Sequence, residues 1–409
     1  MATGCKGTAS SFLASMLQSM MIGRLKPAAG RLEVPAKQDD LGRWMRGAEV
    51  KGGRTIPVLD LRDRIASALD ACPTEIVLRR FRISPGGRSA QCWGRCDRRE
   101  MGRWNGVDFF AKVFLADPYP IVSKLAAPWE GNAHKEPLVR PLRDQLRIEW
   151  NTTHRLRALL GDSVPAPLGC SEAAKTIVWE DVPAAWVIET VKRSRLVDPR
   201  GLTGAGALYE AGAWLHTLHD RSLVGNEQVD TRQVADAIRA ASEMAWHQRV
   251  SNVAVATIGR FLDEAVERTG GQFPVPNALG HGDFTLANLM WNRKGRRLFV
   301  IDYENFAYRS VCYDLLTMVF DIRLFFLNPW VPRRVPVALE AAFWRGYGTV
   351  SSELRSFVSA VASATILGSF LPQMKARRER RSWLAGITTT PYKVLFEDAM
   401  VKRYCASVR

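Results

Sequence analysis

Short apolar and alternating segments predict three β-strands in the first half of the chain, at residues 76–83, 89–96 and 107–115. Turn residues separate them, first a Pro-Gly-Gly run that begins at Pro85 and then the Asn-Gly pair at Asn105. Runs of this length between turn residues are typical of strands, and short connections favour antiparallel neighbours. This part of the chain is therefore predicted to form an antiparallel meander.

Helical periodicity becomes the main pattern farther along the chain. One helix is predicted before the strands, at 59–71 in the N-terminal leader. After the strands, a helix is predicted at 142–160, then strands at 166–169 and 175–179, and a Pro-containing break at 180–183 that we interpret as a linker between two lobes. The remaining predicted elements are helices at 208–219, 230–249 and 253–269, a strand pair around 298–302, and helices from Tyr313 onward. A strand-rich half followed by a helix-rich half predicts an α+β protein.

The composition is that of a globular protein with an excess of positive charge. Of its residues, 47% are hydrophobic and 24% are charged, so the chain can bury a core. A length of 409 residues suits two or three compact units. The 57 Lys and Arg exceed the 41 Asp and Glu, so the formal net charge is +16. A field of this sign attracts nucleotide phosphates, nucleic acid or an anionic membrane; alternatively, it only makes the surface basic and soluble.

The seven cysteines are odd in number and form no C-x-x-C pair, which predicts free thiols and a cytoplasmic protein. No run reaches the ~20 apolar residues that a membrane-spanning helix needs. Residues 1–32 contain no acid, and apolar residues from Phe12 to Met21 recur at helical spacing. Because Ser and Gln interrupt this pattern, it favours an amphipathic extension over a secretory signal.

The segment that begins at His281 carries the most informative chemistry. It reads His-Gly-Asp-Phe-Thr-Leu-Ala-Asn-Leu-Met, and an apolar run after it ends in Ile-Asp-Tyr-Glu at 301–304. Phosphoryl transfer needs a carboxylate that accepts the proton of the attacking hydroxyl, and oxygen ligands that hold Mg²⁺ against the phosphates. Asp283, Asn288 and Asp302 supply these groups, which suit magnesium rather than zinc. The alternative is that all three are turn and cap residues beside a strand.

Together with the Asp-Leu pair at Asp314, this pattern closely resembles the catalytic core of the aminoglycoside phosphotransferase and choline kinase family. These are small-molecule kinases with a protein-kinase-like fold. The resemblance implies that ATP and Mg²⁺ are the cofactors, that Asp283 is the catalytic base, and that Asn288 and Asp302 bind the metal. It also implies that Asp314 organises the loop, although a helix N-cap fits that residue equally well. Glu304 would either help to bind a second ion or be a surface acid.

Such a kinase also needs a lysine on its third strand and a helix glutamate that orients it. Lys112 lies in the third predicted strand between apolar residues, where a lysine needs a partner. Glu149, in the predicted helix 142–160, is the first candidate for that partner. The alternatives are that Glu136 pairs with the lysine, or that Glu149 is a solvated helix acid.

Two backbone segments are assigned to the nucleotide by position. Gly86 and Gly87 lie where the family places a loop over the phosphates, although hairpin turns use the same residues. Backbone groups of Glu180 and Val182 would contact the adenine edge. The expected bilobal fold then comprises an N-terminal extension at 1–75, a nucleotide-binding N-lobe with an antiparallel sheet at 76–183, and a mainly helical C-lobe for catalysis and acceptor binding at 184–409.

Three histidines have two interpretations each. His216 and His219 are three residues apart on one predicted helix and would suit a metal, but no cysteine or carboxylate cluster accompanies them. A core or capping role is therefore favoured. His281 is interpreted as a residue that fixes the backbone of its loop, in preference to a general base.

The acceptor is the least constrained part of the prediction. From residue 305 onward, 15 Lys and Arg face 7 Asp and Glu, which argues against a polycationic aminoglycoside. The apolar segment 357–371 precedes basic residues from Lys375 to Arg381. An apolar helix beside a basic cluster suits an anionic membrane surface. The favoured interpretation is that this helix is buried in the lobe and has a charged, solvated end. The sequence has no recognisable nucleic-acid-binding motif.

The sequence therefore predicts an ATP- and Mg²⁺-dependent phosphotransferase that acts on a hydroxyl group of a small molecule or sugar. One alternative is a kinase of a membrane-associated glycan or lipid head group, peripheral to the inner membrane face. The other is an inactive nucleotide-binding scaffold, or pseudokinase, that holds a partner through its basic surface.

Overall fold

The structure is a computed structural model that describes residues 32–33, 48–50, 54–56, 58–83, 89–97, 106–115, 119–121, 138–191, 202–246, 252–327, 331–370 and 404. The elements up to residue 190 are β1 (Leu32–Glu33), β2 (Ala48–Val50), β3 (Arg54–Ile56), α1 (Val58–Leu69), β4 (Ile76–Ile83), β5 (Ser89–Cys96), β6 (Val107–Phe114), β7 (Tyr119–Ile121), β8 (Leu138–Arg140), α2 (Leu142–Leu160), β9 (Pro167–Ser171), β10 (Thr176–Glu180) and β11 (Ala185–Trp186).

A six-stranded antiparallel sheet forms the N-terminal lobe, with its strands in the order β1-β4-β5-β6-β10-β9. The three predicted meander strands are confirmed as β4, β5 and β6, which pair with one another in sequence order. Strand β10 then pairs antiparallel with β6 and places Ile177 opposite Lys112. The strand that carries Lys112 is thus central in the sheet.

Helix α1 covers one face of this sheet. Its residues Leu61 and Ile65 share a hydrophobic core with Phe109 and Ala111 of β6. The predicted helix at 59–71 is therefore confirmed. It packs as a layer on the sheet, although the sequence placed it in the N-terminal extension.

Helix α2 covers the opposite face, beside β6 and β10. Leu142 and Leu146 of this helix pack against Phe114 and Ile177. Successive side chains of a strand point to opposite faces, so Lys112, two residues from Phe114, also points toward α2. The helix has the bounds that the sequence predicts.

The C-terminal lobe is mainly helical. Its elements are α3 (Leu202–Arg221), β12 (Gly225–Asp230), α4 (Thr231–Trp246), α5 (Asn252–Thr269), β13 (Gln272–Gly280), β14 (Leu289–Asn292), β15 (Arg297–Val300), β16 (Ala307–Ser310), α6 (Cys312–Arg323), α7 (Arg334–Tyr347) and α8 (Ser352–Thr365). Every residue of α6 is buried, because this helix contacts β13, α7 and α8. Helix α6 is therefore a fixed support for the segments that pack on it.

One sheet of this lobe differs from the sequence prediction. Strand β13 pairs with β12 on one side and with β16 on the other, but the sequence predicted none of the three. Pro274 and Pro276 lie in β13, opposite Gln228 and Asn226. Proline normally argues against a central strand, so the pattern concealed this sheet. Its C-terminal end leads directly into His281.

Of the apolar segment predicted at 357–371, residues 357–370 lie in α8 and in a helical turn after it. Phe357, Val361 and Ile366 belong to the main core of this lobe, as the buried interpretation expected. The basic residues from Lys375 to Arg381 lie outside the described residues. Within the described part of the chain, no helix combines the length and the apolar character required to cross a membrane.

Candidate active site

Lys112 and Glu149 form a buried ion pair between β6 and α2. The lysine Nζ lies 3.2 Å from Glu149 Oε2 and 3.3 Å from Oε1. The two side chains are 9% and 1% exposed, so Glu149 is not a solvated helix acid. The structure thus brings together the two residues that were paired from the sequence. The alternative partner, Glu136, lies outside the described residues.

The same ammonium group contacts two carboxylates of the C-terminal lobe. Lys112 Nζ lies 3.2 Å from Asp302 Oδ1 and 3.3 Å from Glu304 Oε2. The interpretation of Glu304 as a surface acid is wrong, because its side chain is 15% exposed and bonded to the lysine. Lys112 therefore joins the sheet of one lobe to the segment after β15 in the other.

Three carboxylates surround the single cation of Lys112, and burial together with this proximity changes the pKa of Glu149. Burial raises the pKa of Glu149 to about 7, the positive charge of Lys112 opposes the rise, and the negative charges of Asp302 and Glu304 add to it. A further cation at this place would favour the ionised carboxylates. The electrostatics of the cluster therefore suit a divalent metal.

Asp283 is held in place by Asn288. The amide Nδ2 of Asn288 donates to both the backbone oxygen and the Oδ2 of Asp283, each at 2.9 Å. The backbone oxygen of Asn288 accepts a hydrogen bond of 3.1 Å from the N–H of Ile301, the residue before Asp302. These contacts place the three residues that were predicted to act together on adjoining segments.

Asn288 and Asp302 fit a hard metal ion. The amide nitrogen of Asn288 is used by Asp283, so its carbonyl oxygen is the atom suited to a cation. Asp302 has a φ of +69°, an uncommon conformation for a residue with a side chain, and such backbone strain is concentrated at functional sites. Among the described residues, no group of three or more His, Cys, Asp and Glu is arranged as a metal site. A carboxylate and a carbonyl oxygen are the ligand types that suit magnesium.

His281 fixes the start of this loop. Its Nε2 lies 3.0 Å from the carbonyl oxygen of Ile301, which can only accept, and its Nδ1 accepts from the N–H of Asp283 at 3.3 Å. The ring must therefore be neutral with its proton on Nε2. Burial lowers the pKa of His281 despite the neighbouring carboxylates. The geometry agrees with a backbone-fixing residue and leaves no proton-accepting atom for a general base.

Asp314 binds the loop from helix α6. Its Oδ2 accepts from the N–H of His281 at 2.7 Å, and its Oδ1 accepts from the N–H of Gly282 at 2.8 Å. The N-cap alternative is wrong, because Val311 is the N-cap of α6 and Asp314 lies inside the helix. Asp314 organises the loop, as the family resemblance implied.

Gly282 allows this tight arrangement. Its φ is +77°, and a Cβ at this position would lie 2.4 Å from the backbone oxygen of Asn305. Any other residue would therefore combine an unfavourable backbone conformation with a steric clash. The glycine of the His-Gly-Asp motif is required by the loop geometry.

A second acid of α6 was not identified from the sequence. The Oδ2 of Asp321 accepts from the N–H of Leu286 at 2.9 Å, and Asp321 is 3% exposed. The signal that could have revealed it is an Asp inside an apolar helix, two turns after Asp314 on the same face. Two buried acids of one helix thus bind both halves of the loop.

The segment between the lobes lies beside the strands of the site. Glu180 ends β10, and its N–H donates to Ala166 O at 2.9 Å. Val182 is buried against Met290 of β14 and Phe299 of β15. These strands lead from Asn288 and to Asp302, so the linker is close to the metal-binding candidates. Gly86 and Gly87 lie outside the described residues.

The two histidines of α3 do not share one environment. His216 is exposed, whereas His219 is buried, with its Nδ1 2.8 Å from Tyr347 Oη and its Nε2 3.4 Å from Asp314 Oδ2. Burial raises the pKa of Asp314, but the hydrogen bond from His219 and nearby positive charges outweigh it and leave the pKa lowered. His219 therefore has the core role that the sequence favoured.

The chain was compared with known proteins. A family model described as the phosphotransferase enzyme family matches residues 134–357. No curated protein matches the chain. Among solved structures, a choline/ethanolamine kinase family protein from Mesorhizobium loti aligns with a TM-score of 0.44 and 13% identity over 86% of this chain and 99% of that one. An aminoglycoside phosphotransferase from Alicyclobacillus acidocaldarius gives 0.41 and 10% identity over 81% and 92%.

An amicoumacin kinase in complex with AMP-PNP, Ca²⁺ and its ligand gives a TM-score of 0.43 and 11% identity, over 91% of this chain and 96% of that one. The family match spans α2, the loop around Asp283 and helix α6. Because this match covers more than half of the chain, the protein belongs to the phosphotransferase enzyme family and has a protein-kinase-like α+β fold.

Proposed function

We propose that this protein transfers the γ-phosphoryl group of ATP, with Mg²⁺, to a hydroxyl group of a small molecule or sugar. One observation carries the proposal. The ammonium group of Lys112 contacts Glu149 of one lobe and Asp302 of the other at the same time, each at 3.2 Å. A lysine oriented by a helix glutamate beside a metal-binding aspartate is the arrangement that positions nucleotide phosphates in kinases.

Each residue then has one role. Lys112 positions the phosphates, Asn288 and Asp302 hold Mg²⁺, and the carboxylate of Asp283 orients the acceptor hydroxyl and takes its proton. The bond from Asn288 to Asp283 Oδ2 fixes the direction of that carboxylate. The metal supplies positive charge against the phosphate oxygens.

The remaining assignments concern the nucleotide and the domains. Glycines Gly86 and Gly87 would cover the phosphates, and backbone groups of Glu180 and Val182 would contact the base. We propose an N-lobe that binds the nucleotide and a C-lobe that binds the acceptor. The packing of α1 on the outer face of the sheet favours an N-lobe that begins before residue 76.

A neutral or anionic acceptor fits the charge of the chain better than a polycation. From residue 305 onward, 15 basic residues outnumber 7 acidic ones, and a polycation would need an acidic pocket. The apolar residues of α8 are buried in the lobe core, so they do not favour a membrane-bound acceptor. Sugars and hydroxylated metabolites are therefore the first class to test.

The test is magnesium-dependent ATP consumption by the wild type and by Asp283→Asn, with a panel of hydroxylated metabolites, sugars and glycans. We expect turnover that needs one acceptor and Mg²⁺, and a loss of about 100-fold or more in the variant. ATP binding without turnover on any acceptor would favour the scaffold alternative. A wild type that does not bind ATP would overturn the proposal.

A further inference from the structure

A surface cavity of about 260 Å³ lies between α2, the end of α3, and strands β13 and β16, and none of the Lys112 cluster lines it. Arg155 and Arg221 line it together with Tyr308, and Leu159 and Leu279 form apolar parts of its wall. Arg155 follows Glu149 on α2 by six residues, about 9 Å along the helix axis. The cavity is therefore separate from the cluster that holds Lys112.

The described part of the structure shows no acidic partner for either arginine of this cavity. Over the described residues, neither Arg155 nor Arg221 has a carboxylate within ion-pair distance. The other arginines in the α2 helix are paired, since Arg143 and Arg147 contact Glu172 and Arg157 contacts Asp162. Positive charge is thus concentrated in the cavity without compensation.

Each of these arginines is held in place by one neutral contact. Arg155 Nη2 donates to the hydroxyl of Tyr308 at 2.9 Å, and Arg221 Nη1 donates to the carbonyl oxygen of Leu159. A guanidinium group has five N–H donors, so both retain donors for a ligand. Tyr308 is 47% exposed, which leaves the cavity accessible from solvent.

We propose that this cavity binds a small molecule that carries a phosphate group. Two guanidinium groups can form paired hydrogen bonds to the oxygens of one phosphate. The apolar wall at Leu159 and Leu279, and the ring of Tyr308, would accommodate an apolar or aromatic part of the same molecule. The volume of about 260 Å³ limits the ligand to a small one.

The experiment is calorimetric titration of the full-length protein with phenyl phosphate. It uses the wild type and Lys112→Met, which removes the cation that would bind phosphate in the active site. We expect both proteins to bind with the same affinity, and Arg155→Gln and Arg221→Gln each to weaken binding about tenfold or more. Arg143→Gln is the matched control, because it removes the same charge from an exposed position on α2.

Two further measurements sharpen the result. Tyr308→Phe removes the hydroxyl that holds Arg155, and it tests the cavity at an exposed position if Arg221→Gln does not fold. Phenol and benzoate separate a phosphate site from an apolar or general anion site, and we expect both to bind at least tenfold more weakly than phenyl phosphate.

The proposal is overturned if Arg155→Gln and Arg221→Gln bind phenyl phosphate as tightly as Arg143→Gln does. It is also overturned if Lys112→Met unfolds at the wild-type temperature but no longer binds phenyl phosphate, since the ligand would then occupy the active site. Equal binding of phenol would overturn it as well. These measurements need no catalytic turnover, so they stand independently of the proposed kinase function.

Discussion

Lys112 is the residue on which the electrostatics of the site depend. Its single positive charge faces Glu149, Asp302 and Glu304. Such a cluster repels phosphate oxygens unless a metal ion adds positive charge. The arrangement therefore suits a nucleotide that arrives with its metal.

Glu149→Gln tests the positioning of Lys112. Without the buried carboxylate, the lysine loses its acidic partner in its own lobe, so its position at the phosphates becomes less defined. We expect kcat/KM for ATP to fall about tenfold or more, while the melting temperature changes little, because the neutral amide removes an acid whose ionisation burial disfavours. Steady-state kinetics and thermal unfolding measure the two effects.

Glu172→Gln is the matched control, because it removes a partly exposed acid that pairs with Arg147 and lies away from Lys112. Equal kcat/KM values for Glu149→Gln and the wild type would show that the ion pair does not position the nucleotide.

His281 gives the protein a predictable sensitivity to acid. Burial lowers its pKa below the ordinary value of 6.5, so the unfolded chain binds a proton more readily than the folded one. The stability from the neutral ring is complete above pH 6.5 and is lost as the pH falls below it. We expect the free energy of unfolding to decrease more steeply for the wild type than for His281→Gln, by up to about 1.4 kcal/mol per pH unit.

Chemical denaturation at several pH values between about 5 and 8 measures this difference. The difference between the two proteins isolates His281 from the other titrating groups. Parallel curves would mean that folding leaves the pKa of His281 unchanged, which contradicts the burial of the ring and its bond to the N–H of Asp283.

At the scale of elements, helix α6 acts as the support of the loop around Asp283. The helix is buried along its whole length, and its two acids accept from backbone N–H groups of residues 281, 282 and 286. A loop residue cannot shift without breaking a buried, charge-assisted bond. The helix therefore determines where Asp283 and Asn288 lie.

Asp321→Asn tests the support that α6 gives to the second half of the loop, at Leu286. The sequence analysis did not identify this contact. If the asparagine amide turns its NH₂ group toward the N–H of Leu286, the two donors face each other. If it turns its carbonyl oxygen there, the hydrogen bond remains but the acceptor has lost its negative charge. We expect kcat to fall about tenfold and the affinity for ATP to stay within about threefold, because Asp321 acts on the loop and not on the nucleotide.

The control for Asp321→Asn is Asp263→Asn, a surface acid that pairs with Arg239. Nucleotide binding by calorimetry and kcat from initial rates separate the two effects. An Asp321→Asn protein that loses ATP affinity and kcat together would point to general loosening of the lobe.

The elements differ in how far the sequence predicted them. The meander strands and α2 follow regular patterns, so their bounds were predicted closely. The sheet around β13 was missed because two prolines disguise a paired strand. The surface-acid interpretation of Glu304 failed because Glu304 contacts Lys112, which is 192 residues away in sequence. A helix or strand shows its periodicity in the local sequence, whereas a contact between the two lobes leaves no such pattern.

At the scale of the whole molecule, two electrostatic features oppose each other. The chain carries a net charge of +16, whereas the site concentrates acids around Lys112 and Asp283. The long-range field attracts anionic ligands, and the local acids require a metal to accept them. Ligand charge should therefore affect the rate of encounter more than the chemistry within the site.

This separation predicts the effect of salt on the proposed kinase reaction. For an anionic hydroxylated acceptor, such as a sugar acid, we expect kcat/KM to fall as potassium chloride rises from about 20 mM to about 500 mM, because the Debye length shrinks from about 20 Å to a few Å. For a neutral sugar of the same size, at saturating ATP, the change should be smaller, since the net charge of +16 does not act on it. Initial rates over a salt series, with the metal concentration held constant, measure both slopes. A cationic amino sugar whose kcat/KM falls most steeply with salt would contradict the prediction, because it would reveal an acidic acceptor pocket that overrides the charge of the whole chain.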